Sequence, residues 1–213
     1  MRRRRAAIEA RWRWAFGAKA PLARASESPA ALGLLVPGAN RIPGLIGLER
    51  GKRYLDFGCG TAAFAHLLAS RAGCDEPPLC ADLVPGPGPV DLVAWPEKMP
   101  FPDDSFDCIT SLYFMRRFDD DVSYAFAGEL ARILAPGGAA LVLEYAPVRS
   151  ELLNRFHSLL VGGGCAEVDL RGWGRLAAKF TEAGFDAIDL VELGPYAFPP
   201  IPRVAIRLRR AGS

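Results

Sequence analysis

The stretch Leu55-Asp56-Phe57-Gly58-Cys59-Gly60-Thr61-Ala62-Ala63 constrains this chain more than any other. A short apolar strand, Tyr54 to Phe57, runs directly into paired glycines, and an Ala/Leu-rich helix is predicted from Thr61 to Arg71. Glycines let the backbone turn sharply and approach a ligand closely, while the first turn of the helix presents free N–H groups. Strand, glycine turn and helix in that order begin a βαβ unit, and the turn is where a polar ligand end belongs. Taken alone, the segment also fits the dinucleotide pattern G-x-G-x-x-G/A.

The rest of the chain extends the alternation. Pro78 to Leu83 reads as a strand, Phe106 to Leu112 as another, and Val122 to Leu134 as a helix ended by Pro136-Gly137-Gly138. Ala139 to Tyr145 is the next strand, helices are predicted at Ser150 to Val161 and Gly172 to Ala183, and strands at Ala187 to Leu193 and Arg203 to Leu208 close the chain. The class is α/β: a Rossmann-like, doubly wound and mostly parallel sheet, with ligands beyond the carboxyl ends of its strands. With 213 residues there is material for one such core.

That core is assigned to residues 52–213, because residues 1–51 read differently. Residues 1–53 hold 12 Lys and Arg against 3 Glu, a balance of +9, and the remainder 14 against 21, a balance of −7. The arm opens with four arginines, carries Trp12, Trp14 and Phe16, and turns rich in Pro, Gly and Ala. It admits contact with an anionic membrane surface. The chain has no dedicated nucleic-acid module, so no specific nucleic-acid partner is expected. Five cysteines without a C-x-x-C pair suit reduced thiols in a cytoplasm better than disulfides or zinc, and the two histidines, His66 and His157, lie far apart. No metal is assigned. No apolar run approaches a membrane span, and the Arg-rich start lacks the apolar segment of a signal peptide, so a soluble cytoplasmic chain is expected. The oligomeric state is not legible.

Two aspartates separate the readings of the glycine turn. Asp56, two residues before Gly58, places negative charge where a cationic ligand group is welcome and a pyrophosphate is not. Asp82 ends the second strand 24 residues beyond Gly58, the right reach for a carboxylate that accepts from ribose hydroxyls.

Here the sequence resembles the class I S-adenosylmethionine-dependent methyltransferases, in particular the compact family related to the ubiquinone and menaquinone methylases. Leu55 to Thr61 resembles their first motif, and Met99-Pro100-Phe101-Pro102-Asp103-Asp104-Ser105-Phe106-Asp107 resembles their L-P-F-x-D-x-S-F-D segment. Glu129-Leu130-Ala131-Arg132-Ile133-Leu134-Ala135-Pro136-Gly137-Gly138 is similar to their E-x-x-R-V-L-K-P-G-G, and Glu182-Ala183-Gly184-Phe185 to their E-A-G-F. The resemblance spans about residues 52 to 210 and implies a seven-stranded sheet ending in an antiparallel hairpin. It implies S-adenosylmethionine as cofactor, a small-molecule acceptor, and cofactor contacts from Asp56, Phe57, Gly58, Cys59, Gly60, Ala62, Asp82, Leu83, Trp95, Met99 and Ser111. Methyl transfer is an in-line displacement at an already activated carbon, so a catalytic base is optional. The candidates are His157, on the helix after the fifth strand, and Tyr113, just past the fourth, while Glu144 is at best an orienting residue.

Three departures from the family pattern stand out. Ala62 replaces the third motif glycine, though alanine is compatible with a helix start. The segment Leu83 to Pro89 is too short for a helical crossover, so the sheet is expected to be shortened between its second and third strands. Trp95-Pro96 occupies the place of the acidic residue that reaches adenine, where Trp95 either stacks on the base or packs in the core. Two other readings compete: a nicotinamide-dependent oxidoreductase, which leaves the L-P-F and P-G-G segments unexplained, and a degenerate fold serving as a non-catalytic binding or scaffold subunit.

Overall fold

The computed structural model describes residues 6, 9, 10, 36–85, 88–162, 170–195 and 201–212. Seven strands form one sheet: β1 (Tyr54–Phe57), β2 (Leu79–Asp82), β3 (Leu92–Val93), β4 (Phe106–Leu112), β5 (Leu134–Tyr145), β6 (Ala187–Val191) and β7 (Arg203–Arg209). Among the described residues, the helices in chain order are α1 (Ile42–Ile46), α2 (Ala63–Ala72), α3 (Asp120–Ile133), α4 (Glu151–Gly162) and α5 (Trp173–Glu182). The strand order is β3-β2-β1-β4-β5-β7-β6, parallel from β3 to β5, with β7 inserted antiparallel between β5 and β6. The doubly wound sheet with an antiparallel hairpin at its end is therefore the fold.

Alternation along the strands sends side chains to two cores. Leu55, Phe57, Ile109 and Val142 join the helices α3 and α5 through Phe126, Leu130, Leu176 and Phe180. Tyr54, Cys108, Leu141 and Leu143 face the opposite way, onto Ile42 and Ile46 of α1 and Ala65 and Leu68 of α2. Each such large apolar side chain contributes roughly 1.5–3 kcal/mol by leaving water. Of residues 36–51, read from sequence as part of the arm, Ile42, Ile46 and Leu48 belong to this second core, and Val36 and Ala39 pack in a smaller cluster against Ala63, Phe64 and Leu67. Ile42 is fully buried, Arg41 Nη1 donates to the Glu192 carbonyl at 2.8 Å, and Arg203 Nη2 donates to the Pro37 carbonyl at 2.8 Å. Among the described residues, packing against the sheet domain thus includes Val36 to Leu48, ahead of Lys52. The arm residues that carry Trp12, Trp14 and Phe16 lie outside the described residues.

Two irregularities have local causes. Nine residues join β2 to β3, and no helix lies among those described; the crossover is tight enough that a Cβ on Gly88 would lie 1.9 Å from the Thr61 carbonyl oxygen. Pro136-Gly137-Gly138 does not cap a helix, as its composition suggested. α3 ends at Ile133, Leu134 already pairs with Phe106, and the next pair is Cys108 with Ala139, so residues 135–138 bulge inside β5. Gly137 takes a positive φ of 75° and donates to the Arg210 carbonyl at 3.0 Å, while a Cβ on Gly138 would strike the Asp107 carbonyl at 2.9 Å.

Polar contacts fix the elements that carry the sequence motifs. Arg132 binds the Glu129 carboxylate through Nε and Nη2, the Phe101 carbonyl and Asp103 through Nη1, and the Met99 carbonyl through Nη2. Glu129 also accepts the Met99 N–H at 2.6 Å, so the E-x-x-R of α3 holds the M-P-F-P-D loop directly. At the other end of α3, Asp120 receives Lys179 Nζ at 2.8 Å and Arg175 at 2.9 Å, and lies 3.6 Å from Arg171 Nε. Lys179 and Arg171 are both 2% exposed, so Asp120 supplies negative charge that two buried cations on or beside α5 require.

Hydrogen bonds from Lys179, then from Arg175, lower the Asp120 carboxyl from 3.8 to about 2. A folded value below the unfolded one means that Asp120 stabilises the fold above its ordinary range, and that this contribution is lost as pH falls from about 4 toward 2. Asp120→Asn should lower stability by about 2–3 kcal/mol in urea titrations at pH 7, less than the roughly 3–5 kcal/mol for breaking a wholly buried pair, because the carboxylate is partly exposed. The difference from wild type should vanish by about pH 2. At the β1 turn, Gly58 has φ 84°, and a Cβ there would lie 2.4 Å from Phe114 Cδ2. Gly58→Ala combines left-handed strain with overpacking and should cost about 3 kcal/mol, of which Phe114→Leu in the same chain should recover a measurable part.

Candidate functional site

The β1 turn is built by carbonyls and carboxylates of its neighbour. Gly58 N–H and Cys59 N–H both donate to the Ala81 carbonyl, at 2.8 and 3.2 Å, folding the turn back over β2. Gly60, with φ 59°, donates to Asp82 Oδ2 at 2.8 Å, and the other Asp82 oxygen accepts the Leu83 N–H at 2.6 Å. Asp82 is fully buried, so its charge rests on backbone N–H dipoles at the carboxyl end of β2. Ala62 then enters α2 as N-cap in the left-handed region, φ 62° and fully buried. This corrects the expectation that alanine suits this position: the backbone has the conformation that favours glycine, and the methyl carries strain of roughly 1–2 kcal/mol.

Asp56 is the second buried carboxylate. Thr110 Oγ1 donates to it at 2.6 Å and lies 2.7 Å from the Tyr54 hydroxyl, a polar chain between β1 and β4 inside the sheet. Burial pushes the Asp56 carboxyl up to about 7, opposed by the Thr110 hydrogen bond and reinforced by the charge of Asp82. Cys59 is buried beside this pair, and its hydrogen bond with Cys80 and its burial hold the thiol protonated.

The other residues expected at the cofactor site divide between lining and core. Phe57 is wholly buried, edge-on to Phe114 with centroids 5.3 Å apart, so its backbone alone reaches the turn. Met99 and Leu83 are buried members of the α3-side core. Trp95 is half-buried, packs on that core and follows Ala94, whose N–H donates to the Asp82 carbonyl at 2.9 Å. Ser111 is buried in β4 with its Oγ lacking a hydrogen-bond partner.

A second cluster lies at the carboxyl ends of β4 and β5. Tyr113 has φ 58°, an uncommon conformation for a tyrosine, and its ring stacks on Tyr145 at 4.3 Å and 22°. Its N–H donates to the Leu143 carbonyl at 2.6 Å, and its hydroxyl accepts Arg203 Nη1 at 3.2 Å. The Arg116 guanidinium lies 5.4 Å from the Tyr145 centroid and 5.9 Å from that of Tyr113, with Nε and Nη1 shielded from solvent and without partners. Such a cation–π contact contributes about 0.5–2 kcal/mol, whereas each shielded unpartnered donor costs about 1–3 kcal/mol. Glu144, 2% exposed, accepts the Met115 N–H at 2.5 Å and so orients the turn after β4. Burial raises its carboxyl above the ordinary range, against the charge of Arg116. His157 sits half-buried on α4 with its shielded Nδ1 unpartnered. Arg116 and Arg203 were not singled out from sequence, because single arginines outside any motif carry no signal until the strands bring them together.

The first cluster can hold a ligand that is cationic at one end and hydroxylated at the other. Two buried carboxylates supply acceptors, and a positive-φ glycine turn leads into the start of α2. That donor set fits S-adenosylmethionine, whose sulfonium and ammonium need the carboxylates that a pyrophosphate would repel.

Comparison with known proteins agrees. The family described as a methyltransferase domain matches residues 34–190. The ubiquinone/menaquinone biosynthesis C-methyltransferase UbiE of Pseudomonas paraeruginosa is 28% identical over 181 residues, covering 68% of this chain and 69% of the relative. The demethylmenaquinone methyltransferase of Thermus thermophilus is 39% identical over 109 residues, 45% of this chain and 48% of the relative. The UbiE of Marinomonas sp. is 48% identical over 61 residues, only 24% of its length, so several of these matches span half of the relative or less. Among solved structures, human N-acetylserotonin methyltransferase in complex with S-adenosylmethionine superposes with a TM-score of 0.62 at 17% identity, over 88% of this chain and 54% of that one. A Haemonchus contortus phosphoethanolamine N-methyltransferase gives 0.61 at 15% identity, over 89% and 59%. These two likenesses concern the fold. With the family match covering most of the chain and the glycine turn and its two carboxylates in place, the chain belongs to the class I S-adenosylmethionine-dependent methyltransferases, in the branch related to UbiE.

Proposed function

We propose that this chain transfers a methyl group from S-adenosylmethionine to a small-molecule acceptor by in-line displacement. The observation that carries the reading is the pair of buried carboxylates, Asp56 and Asp82, at the carboxyl ends of adjacent strands beside a positive-φ glycine turn. Asp82 would accept from the ribose hydroxyls while keeping the Gly60 N–H, Gly58 and Gly60 would border the methionine portion, and Trp95 would face the adenine. S-adenosylmethionine supplies an electrophilic methyl carbon, so the difficult chemistry comes with it. The protein's part is alignment, which can contribute roughly 7–11 kcal/mol, against roughly 3–5 kcal/mol for a general base. Tyr113 and His157 are the groups placed to take a proton from an acceptor, Tyr113 from the β4 end and His157 from α4. The nicotinamide reading loses its support, because the carboxylate pair disfavours a pyrophosphate and the described sheet follows the methyltransferase topology. The scaffold reading rests on Ala62, Trp95 and the short link between β2 and β3, in which no helix lies among the described residues.

Calorimetry tests the assignment. Asp82→Ala should weaken S-adenosylmethionine at least about tenfold, through loss of hydrogen bonds to a charged acceptor worth about 1.5–3 kcal/mol each. Asp56 adds a pH dependence. Its raised carboxyl is neutral below about 7, so its contribution to stability is complete at low pH and is lost as pH rises through 7. A cationic ligand prefers the ionised form, so affinity should fall several-fold between pH 7 and 6, with proton release detectable in buffers of different ionisation enthalpy. Asp56→Asn should flatten that slope; an unchanged slope assigns the pH dependence elsewhere.

The basic arm and α4 support a peripheral membrane contact. Leu152, Leu153, Phe156 and Leu159 are exposed on α4, with Leu152 at 78%, and Arg149 and Arg155 flank them. No helix among the described residues is long and apolar enough to cross a membrane. Binding to vesicles containing phosphatidylserine should therefore fall as salt is raised, since each nearby arginine contributes about 1 kcal/mol. Leu152→Glu with Phe156→Glu should reduce it further in sedimentation assays, and equal binding to neutral vesicles would dismiss the contact.

A further inference from the structure

We propose that the acceptor is an organic acid and that Arg116 is the residue that recognises its carboxylate. The proposal deepens the methyltransferase reading, on which the word acceptor rests, but carboxylate binding can be measured without turnover.

The cluster at the ends of β4 and β5 carries positive charge without a hydrogen-bonded counter-anion. Arg116 stands over the Tyr113–Tyr145 stack with Nε and Nη1 shielded and unpartnered. Arg203 spends its donors on the carbonyls of Gly194, Leu193 and Pro37 and on the Tyr113 hydroxyl, all uncharged. The carboxylate facing Arg116 is Glu144, which is committed to the Met115 N–H through Oε1, while its shielded Oε2 makes no hydrogen bond. Glu144 also feels Arg171, but that cation is shared with Asp120 and hydrogen-bonded to the carbonyls of Met115 and Phe118. Arg116 faces the buried Glu144 carboxyl group and Arg203 adds a second guanidinium without a carboxylate partner, which leaves the cluster net positive among the described residues.

The Arg116 guanidinium lies alongside the stacked pair, nearly equidistant from the two centroids, and that contact leaves its N–H groups unused. A planar carboxylate meets that need: it accepts N–H bonds in the guanidinium plane and balances the excess charge. The position suits an acceptor. Tyr113 and Arg116 follow β4, one strand from the glycine turn of β1, so the carboxylate would be anchored beside the cofactor cluster and outside it. The strain of the left-handed Tyr113 is the local cost of stacking this residue on Tyr145.

The test uses the full-length chain saturated with S-adenosylhomocysteine, and two probes of the same shape, para-fluorobenzoate and its neutral counterpart para-fluorobenzamide, followed by fluorine NMR titration. The acid should bind at least about tenfold more tightly than the amide. In Arg116→Gln that preference should disappear, and in Arg116→Lys, which keeps the charge but loses the planar fork, it should shrink several-fold. S-adenosylhomocysteine affinity should match wild type in both variants. Equal binding of acid and amide to the wild type, or an undiminished preference in Arg116→Gln, overturns the proposal; should that variant not fold, an undiminished preference in Arg116→Lys overturns it. Failure of S-adenosylhomocysteine to bind at all would remove the methyltransferase reading instead, and the acid-to-amide comparison repeated without it would still decide the role of Arg116.

Discussion

The hydrogen bond from the Gly60 N–H to the buried Asp82 carboxylate is the contact on which the site depends. A fully buried carboxylate is costly unless several donors answer it, and here the donors are backbone N–H groups that exist only when the β1 turn has its native shape. The charge at the end of β2 and the turn at the end of β1 thus stabilise each other. Parallel pairing of Phe57 with Ala81 sets the register, and the Ala81 carbonyl accepts the two N–H groups that start the turn. A shift of one residue in that pairing would bring Ala81 or Leu83 to the place of Asp82 and leave the turn without its anchor.

The same dependence links motifs that are distant in sequence. The M-P-F-P-D-D-S-F-D segment and the E-L-A-R of α3 look like separate signatures, yet Arg132 and Glu129 hold that loop by its backbone. The loop in turn delivers β4, whose Thr110 donates to Asp56. Hydrogen bonds from α3 to the loop, the backbone from the loop into β4, and the bond from Thr110 to Asp56 therefore connect α3 with the cofactor cluster. That connection accounts for the appearance of the motifs together, because losing either member leaves shielded carbonyls or an unmatched charge.

What could be read from sequence was whatever depends on local chemistry. Strand β1, the glycine turn, α2 and the terminal hairpin announce themselves through apolar runs and turn residues, and they form as expected within a residue or two. Asp56 and Asp82 were legible because a carboxylate ending a buried strand demands a partner. Three features were not. Pro136-Gly137-Gly138 has the composition of a helix stop, but its role is fixed by pairing across to Phe106, Cys108 and Arg210, which only the sheet reveals. Ala62 could not be recognised as strained, since alanine is a good helix former and the left-handed φ is set by Gly60 and Asp82 around it. Nor could Arg116 and Arg203 be linked, 87 residues apart and joined only through the Tyr113–Tyr145 stack.

Along the carboxyl edge of the sheet the electrostatics change sign. At β1 and β2 the buried carboxylates are answered by N–H groups and a hydroxyl; beyond β4 and β5 the Arg116 guanidinium lies against the Tyr113 and Tyr145 rings, and Arg203 of β7 donates to the Tyr113 hydroxyl. A reaction that depends on bringing two molecules into line gains from such polarity, because each reactant is drawn to its own end of the edge and repelled from the other. The two clusters are held apart by β4 itself. Its Thr110 faces the carboxylates and its continuation, Tyr113, faces the guanidiniums, so one strand sets the distance between the two halves of the site. Alignment then follows from strand geometry, which is rigid, and no titrating side chain has to be poised between the clusters for the arrangement to work.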